Sequence, residues 1–287
     1  MIIIIKIFLL VCGILFFGCI LISNFVIRTE RLHLFTSKVS RKYKILHFAD
    51  LHLQYDCWNP IRNVLEKEKI DLIVINGDIL KDRINYRKVR KLERFLEKLK
   101  LFGVEIVFIM GNHELEHVDN ENYINLIMKK LKIRILRAGE VLTKGKIMFT
   151  TYDFVYRITE DEKHKQLEAI NELQKEKQKY KILLSHSSPH NELKNGTLNK
   201  GSVDLTLSGH THGGVFTFPI FGPIKLPDEP INENRKYSSG LHNINGTLMN
   251  ITRGAGHGEY YYLRGIFNLR EISVIEINSE KESINVS

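Results

Sequence analysis

Cysteine is scarce in this chain of 287 residues, and the positions of the three cysteines exclude two structural features that depend on thiols. Cys12 and Cys19 lie in an apolar N-terminal stretch, which leaves Cys57 alone in the remaining sequence. A disulfide framework is therefore excluded, and so is a zinc site built from cysteine thiolates. Any metal ion has to be held by histidine, aspartate and asparagine side chains.

A concentrated basic stripe is also missing. The net charge is +9 and the pI is near 9.3, but the lysines are scattered over helix-like segments without the interleaved aromatic residues that favour nucleic-acid binding. A solvated basic surface and attraction to anionic lipid or phosphorylated substrate both fit this charge. The composition, with 43% hydrophobic and 26% charged residues, is that of an ordinary globular protein. We expect no nucleic-acid partner and infer no obligate protein partner.

Residues 1–27 are predicted to form a transmembrane anchor. The stretch from Ile7 through Ile27 is almost wholly apolar, with Ser23 and Asn24 as its polar residues. About 20 apolar residues suffice to span a bilayer as a helix. A cleaved signal peptide usually has a shorter apolar region and a small-x-small cleavage site, and a core helix usually has a polar face. These two alternatives stay open, and the uncleaved anchor is favoured.

The charges beside this stretch favour a cytoplasmic-facing domain on a single-pass membrane protein. Lys6 precedes the stretch, whereas six basic residues follow it closely: Arg28, Arg31, Lys38, Arg41, Lys42 and Lys44. Positively charged flanks tend to stay on the cytoplasmic side. Residues 28–43 are therefore expected to be a basic juxtamembrane linker that lies against anionic headgroups.

Four predicted strands end in polar side chains that can bind a metal ion. They are Lys44–Ala49 before Asp50 and His52, Asp71–Ile75 before Asp78, Val104–Met110 before Asn112 and His113, and Tyr180–Leu184 before His186. An amphipathic pattern over Arg87–Phe102 predicts a helix between two of them. Alternating strands and helices indicate a parallel sheet, and such sheets place their sites at the carboxyl ends of the strands. One aspartate after a strand could simply cap a helix, but the recurrence favours a shared site.

A fifth predicted strand, Val203–Leu207, leads into Ser208-Gly209-His210-Thr211-His212-Gly213-Gly214. Histidines two residues apart on a strand point to opposite faces. The glycine-rich turn must therefore bend them toward a common ion or toward two neighbouring ions, unless they are surface histidines in a turn. Imidazoles with carboxylates suit divalent ions such as Mn²⁺, Fe²⁺ and Zn²⁺.

Five ordered blocks resemble the calcineurin-like metallophosphoesterase superfamily over roughly residues 43–277. The blocks are Asp50-x-His52, Gly77-Asp78, Gly111-Asn112-His113-Glu114, His186 and Gly209-His210-x-His212. The resemblance implies an α/β fold, in which a two-sheet αββα sandwich follows the transmembrane helix. It also implies two divalent ions, with Mn²⁺ favoured, at the edge of the sheets where the strands have their carboxyl ends. It further implies one ion on Asp50, His52 and His212, the other on Asn112, His186 and His210, and Asp78 bridging them. His113 would neutralise a phosphoryl oxygen or protonate the leaving alkoxide.

Later residues are similar to a branch of membrane-anchored bacterial phosphodiesterases related to UDP-2,3-diacylglucosamine pyrophosphatases. They are Pro219, Gly222-Pro223, Arg253-Gly254-Ala255-Gly256 and Arg264. This similarity implies that a domain over residues 44–287 hydrolyses a phosphodiester or pyrophosphate bond in a lipid- or nucleotide-linked substrate at the membrane. The alternatives are a phosphomonoesterase or protein phosphatase, a nuclease, and a scaffold that has lost its metals.

Two positions depart from the family pattern. Ser187-Ser188-Pro189-His190 stands where many relatives carry an acidic residue after the proline, and Glu114 stands where aspartate is commoner. Glu114 is still expected to orient His113. Several aromatic residues are expected to line an acyl pocket or to pack in the core: Tyr152, Phe154, Tyr156 and Tyr260–Tyr262. His47, in mid-strand, is expected in the core.

Overall fold

Two six-stranded sheets form the centre of the fold. The computed structural model describes residues 1–81, 83–152, 159–218, 220–227, 233–257 and 268–279. The first sheet contains, in spatial order, β1 (Ile27–Thr36), β14 (Arg270–Ser279), β2 (Tyr43–Phe48), β3 (Leu72–Asn76), β4 (Ile106–Ile109) and β5 (Arg134–Ile135). The second contains β12 (Gly240–Ile244), β13 (Thr247–Ile251), β9 (Leu205–Ser208), β8 (Tyr180–Leu184), β7 (Ile147–Thr151) and β6 (Val141–Lys144). A separate hairpin joins β10 (Val215–Phe218) to β11 (Gly222–Lys225).

Helices precede the first strand and connect many of the later ones. They are α1 (Ile2–Phe25), α2 (Trp58–Lys67), α3 (Tyr86–Lys100), α4 (Asn112–Leu115), α5 (Val118–Leu131), α6 (Glu160–Glu172) and α7 (His190–Lys194), with 3₁₀ helices at Leu173–Lys175 and Glu233–Ser238. The helix α3 begins after Asn85, whose side chain accepts a hydrogen bond from the Lys88 N–H. Its apolar stripe, which includes Leu92, Leu96 and Leu99, is buried, as the sequence pattern predicts.

The apolar core lies in layers, and β3 shows how a single strand serves two of them. All five residues of β3 are buried. Ile73 and Ile75 pack in the cluster beneath the helices, whereas Leu72 and Val74 pack in the cluster between the two sheets. A third cluster, with Ile170 of α6, covers the outer face of the second sheet. The predicted αββα sandwich is confirmed, and β2, β3, β4, β8 and β9 lie within two residues of the predicted strands.

The first strand corrects part of the predicted linker. The helix α1 ends at Phe25, and β1 begins at Ile27 and pairs in parallel with β14 along its whole length. Residues 27–36 are thus an edge strand of the first sheet, so the expectation of a linker is wrong for this part. Since β14 is antiparallel to β2, β1 runs opposite to β2, β3 and β4. The amino end of β1 therefore lies at the edge where those three strands end.

The helix α1 is a candidate membrane span. It has 24 residues, its most apolar window has a mean hydropathy of 2.8, and none of that window is buried. Within the described part of the chain, α1 is the one helix that meets these criteria of length and composition. A signal sequence has the same properties.

Candidate metal centre

Seven polar residues converge where strands of both sheets end. Asp50 and His52 follow β2, Asp78 follows β3, Asn112 follows β4, His186 follows β8, and His210 and His212 follow β9. All seven are buried. The structure thus brings together every residue that the sequence analysis expects to bind metal.

Left-handed backbone conformations occur at five of these seven residues. The φ angles are 55° at Asp50, 47° at His52, 50° at Asp78, 67° at His210 and 53° at His212. Such angles cost a residue other than glycine roughly 1–3 kcal/mol, and they concentrate at functional sites. The two histidines of the glycine-rich turn therefore bend the backbone themselves, and they come to lie in two different clusters.

The first cluster contains Asp50, His52 and His212. The Nε2 atoms of the two histidines are 3.0 Å apart, and His212 Nε2 is 3.9 Å from Asp50 Oδ1. His52 Nδ1 lies 3.0 Å from the carbonyl oxygen of Leu80, which can only accept a hydrogen bond. Nδ1 must therefore carry the proton, which leaves a lone pair on Nε2. Burial lowers the pKa of His52 to about 3, so the ring is neutral at pH 7, as a metal ligand must be.

The second cluster contains Asp78, His186 and His210 together with the Asn112 amide oxygen. His186 Nε2 is 3.2 Å from both Asp78 Oδ2 and Asn112 Oδ1, and His210 Nδ1 is 3.1 Å from the same amide oxygen. His186 Nδ1 donates to the carbonyl oxygen of Asn76 at 2.8 Å. Burial opposes a charge on His186, but the Asp78 and Asp50 carboxylates outweigh it and raise the pKa of the ring. A cation bound here would displace that proton.

Asp50 and His113 connect the two clusters to each other and to the surface. Asp50 Oδ1 is 3.9 Å from Nε2 of both His186 and His212. His113 Nε2 is 3.9 Å from Asp78 Oδ2, and its Nδ1 is 3.2 Å from Glu116 Oε2. The His113 side chain is 24% exposed, whereas that of Asp78 is 3% exposed. His113 therefore forms the rim through which a substrate could reach the clusters.

The donor set fits two divalent cations. Two carboxylates, four imidazoles and one amide oxygen converge, and the donor atoms of each cluster of three lie within 4.8 Å of one another. Burial disfavours a charge on Asp78, but the neighbouring His186 lowers its pKa below the usual range, so the carboxylate stays ionised. Buried ionised carboxylates beside imidazole nitrogens need a compensating cation, and this mixture suits Mn²⁺, Fe²⁺ or Zn²⁺.

Residues 43–214, more than half of the chain, match the model of the calcineurin-like phosphoesterase family. The chain belongs to this family. It is 26% identical over 249 residues to an uncharacterized metallophosphoesterase of Aquifex aeolicus, and the match covers 83% of this chain and 87% of the relative. It is 28% identical over 227 residues to the uncharacterized metallophosphoesterase YkuE of Bacillus subtilis, at 75% and 72% coverage. The solved structure of TT1561 of Thermus thermophilus is similar with a TM-score of 0.49 and 10% identity, and the match covers 74% of this chain and 89% of that one.

The chain is therefore a metallophosphoesterase, a metal-dependent hydrolase of phosphoesters with Asp and His clusters able to hold its ions. Family membership does not specify the substrate or the metal.

Glu114 has a different role in this metallophosphoesterase from the one expected. Its carboxylate accepts hydrogen bonds from the backbone N–H groups of Asp78, Leu80 and Gly111 at 2.8–2.9 Å. Burial and the nearby Asp78 raise the pKa of Glu114 to about 7, although the N–H donors of Leu80 and Gly111 act to lower it. Glu116 instead contacts the His113 ring. Glu114 thus holds the turns after β3 and β4 together.

Asn76, at the end of β3, links the two sheets next to the proposed metal ligands, and this role was not predicted from the sequence. Its buried amide donates to the carbonyl oxygens of Ser185 at 3.1 Å and Leu207 at 3.0 Å, which joins the two sheets under the ligands. A polar residue that ends a wholly apolar strand is the signal that could have shown it.

The Arg253-Gly254-Ala255-Gly256 stretch packs against the first cluster. A Cβ atom added at Gly254, where φ is +74°, would lie 2.9 Å from Asp50 Cβ and 3.1 Å from His212 Nδ1. One added at Gly256 would lie 2.3 Å from the Leu51 carbonyl oxygen. These glycines are therefore needed for the close approach of the backbone to the turns that carry Asp50 and His212.

Other predicted residues lie in the core or outside the described residues. His47 is fully buried, as predicted, and Tyr152 packs in the core cluster with Ile170. His190 is buried and stacks on Tyr237 with ring centroids 4.8 Å apart. The remaining expected positions lie outside the described residues: Phe154, Tyr156, Pro219, Tyr260–Tyr262 and Arg264.

Proposed function

We propose that this metallophosphoesterase uses two divalent ions, Mn²⁺ favoured, to hydrolyse a phosphodiester or pyrophosphate bond. The observation that carries the proposal is the pair of adjoining clusters with carboxylates between them. We assign Asp50, His52 and His212 to one ion, Asn112, His186 and His210 to the other, and Asp78 to both. When bound, such a pair of ions stabilises the attacking and leaving oxygens of an in-line displacement at phosphorus.

His113 is assigned the proton chemistry. In hydrolysis the oxygen of water bonds to phosphorus, the ester P–O bond breaks, and the leaving oxygen takes up a proton. His113 lies at the exposed rim with Nε2 toward Asp78 and Nδ1 3.2 Å from Glu116 Oε2, so an imidazole proton donor is placed at the opening of the clusters. The ring can therefore donate the proton to the leaving oxygen or neutralise a phosphoryl oxygen with its positive charge.

The membrane assignment rests on α1 and on the charges that follow it. We infer that α1 is an uncleaved anchor, that the basic residues after it keep the domain on the cytoplasmic side, and that the substrate is lipid- or nucleotide-linked. The exposed apolar surface of α1 supports this inference, because 24 residues exceed the length needed to cross a bilayer.

A comparison of diester and monoester turnover tests the proposed reaction. The full chain in detergent is the correct material, because a truncation at residue 44 would remove the edge strand β1. With Mn²⁺, we expect bis-p-nitrophenyl phosphate to be hydrolysed at least about tenfold faster than p-nitrophenyl phosphate, a preference of about 1.4 kcal/mol. Turnover of the monoester alone would contradict the proposal and identify a phosphomonoesterase.

A further inference from the structure

We propose that the β10–β11 hairpin is a second membrane contact and that it holds the metal centre at the headgroup layer. The chemistry that fits is an amphiphilic phosphoester whose phosphate lies at the bilayer surface. This inference rests on the proposed phosphodiesterase and on the proposed anchoring through α1.

The topology places the end of α1 beside the metal centre. Ile27 pairs with Arg270, and β14 pairs with β2 so that Ser273 lies opposite His47. Beyond this pairing the Gly254–Gly256 segment lies between the two strands, because the Glu271 N–H donates to the Gly254 carbonyl oxygen and the Gly256 N–H donates to the Asp50 carbonyl oxygen. Neighbouring strands are about 4.8 Å apart, so three such spacings place Ile27 roughly 14 Å from Asp50. The last turn of α1 is held against the domain, since Ser23 and Asn24 are buried, whereas the most apolar 18-residue window of α1 has no buried residue. The helix therefore leaves the domain at this edge.

Side chains join the start of β1 to the first cluster. Arg28 Nη2 lies 2.8 Å from Glu271 Oε2, and Glu271 is buried. The Glu271 N–H donates to the carbonyl oxygen of Gly254 at 2.9 Å, and Gly254 packs against Asp50 and His212. Three steps of direct contact thus lead from the first charged residue after α1 to the predicted metal ligands.

The hairpin is joined to the same edge. Asn268, two residues before β14, donates to the carbonyl oxygens of His212 at 3.0 Å and Gly214 at 3.2 Å. Gly214 immediately precedes β10. A Cβ atom at Gly214 would lie 2.1 Å from Pro223 Cβ in β11, so the two strands are closely packed at this root. The end of α1, the metal-binding turn and the hairpin root therefore meet around the start of β14.

The tip of the hairpin is apolar and exposed. Ile220 is 88% exposed, Phe221 71% and Ile224 55%, all within five residues. Single exposed apolar residues are ordinary, but such a group marks an interaction surface. The exposed Arg235 donates to the Phe221 carbonyl oxygen at 3.1 Å, and the exposed Lys225 ends β11. Exposed apolar side chains with basic residues next to them are typical of interfacial contacts with anionic lipid.

A bilayer is the occupant that these observations favour over a protein partner, because α1 leaves the domain at the same edge. An anchor and an apolar tip that are both joined to the edge of the metal centre keep its opening close to the lipid surface. A phosphoester in the headgroup layer is then presented to His113 without leaving the membrane.

Lipid quenching of tryptophan fluorescence tests the contact without using activity. The background for both variants is the full chain with Trp58→Phe, which removes its one tryptophan. A single tryptophan is then introduced by Phe221→Trp or by Leu101→Trp. Each variant is reconstituted in vesicles of brominated phosphatidylcholine with phosphatidylglycerol. Leu101 is 85% exposed and follows α3 at the opposite edge, before β4. We expect the tryptophan at 221 to lose about half of its fluorescence and the one at 101 to lose almost none. No quenching at 221, or equal quenching at both positions, would overturn the proposal.

Turnover ratios test the substrate class separately. Phe221→Ser and Leu101→Ser, with Trp58 retained, are compared for hydrolysis of vesicle phospholipid relative to soluble bis-p-nitrophenyl phosphate. We expect the ratio to fall about tenfold for Phe221→Ser and to stay at the wild-type value for Leu101→Ser. An unchanged ratio in Phe221→Ser would overturn the lipid assignment. Absence of all diester hydrolysis by the wild type would overturn the proposed function instead, while the quenching result would still decide whether the hairpin contacts the bilayer.

Discussion

Asp78→Asn is expected to lower kcat/KM for bis-p-nitrophenyl phosphate at least about 10³-fold. Asp78 Oδ2 lies 3.2 Å from His186 Nε2 and 3.9 Å from His113 Nε2, so this one carboxylate faces both the second cluster and the rim. Asparagine keeps the shape but removes the negative charge that offsets the two cations. Metal ions contribute several kcal/mol of transition-state stabilisation, and about 4 kcal/mol corresponds to 10³-fold in rate.

Asp71→Asn at the opposite end of β3 is the matched control. Asp71 Oδ2 accepts the Lys44 N–H at 2.8 Å, and an asparagine oxygen can accept the same bond. We expect this variant to keep wild-type turnover when both variants are measured at saturating Mn²⁺. If Asp78→Asn stayed within about tenfold of wild type, the bridging role assigned to Asp78 would be wrong.

Glu114→Ala is expected to lower the free energy of unfolding by about 3–6 kcal/mol. The substitution leaves three buried N–H groups, on Asp78, Leu80 and Gly111, without their acceptor. Each orphaned donor costs about 1–3 kcal/mol, and a native protein has only about 5–15 kcal/mol in total. Urea unfolding of the detergent-solubilised full chain measures the loss.

Two further variants separate this role from a general effect of losing a carboxylate. Glu114→Gln keeps one acceptor oxygen and should recover part of the loss. Glu116→Ala removes a carboxylate that is 35% exposed and should cost less than about 1 kcal/mol. Equal effects of Glu114→Ala and Glu116→Ala would show that the three backbone bonds do not stabilise the turns.

The convergence of the proposed metal ligands was predictable because of where the strands end. Runs such as Leu72–Asn76 are apolar on both faces, and parallel strands end at a common edge, so Asp50, Asp78 and Asn112 had to lie close together. The division of the ligands into two sets came from the family resemblance. Among the described residues, two of the three close groups of donor side chains correspond to these sets, and the third joins His52 and Asp78 to His113.

Long-range pairing explains why β1 was not predicted. The segment Ile27–Thr36 has the composition of a basic linker, because it contains Arg28, Glu30, Arg31 and His33. Its partners are far away in the sequence: Arg28 pairs with Glu271, 243 residues further along the chain. The charges of the strand are accommodated by carboxylates that no local pattern indicates, such as Glu271 beside Arg28 and Glu68 beside Arg31. The role of Glu114 was hidden for a related reason, because its partners are backbone N–H groups of two separate turns.

The most direct test of the two-metal centre is a titration of the chelator-treated full chain with Mn²⁺, in which bound Mn²⁺ per chain and hydrolysis of bis-p-nitrophenyl phosphate are measured on the same samples. Two adjoining clusters with a shared carboxylate predict that turnover is absent without metal and reaches its plateau as the second ion binds. Full turnover in the metal-free protein, or a plateau reached with one ion per chain, would contradict the account.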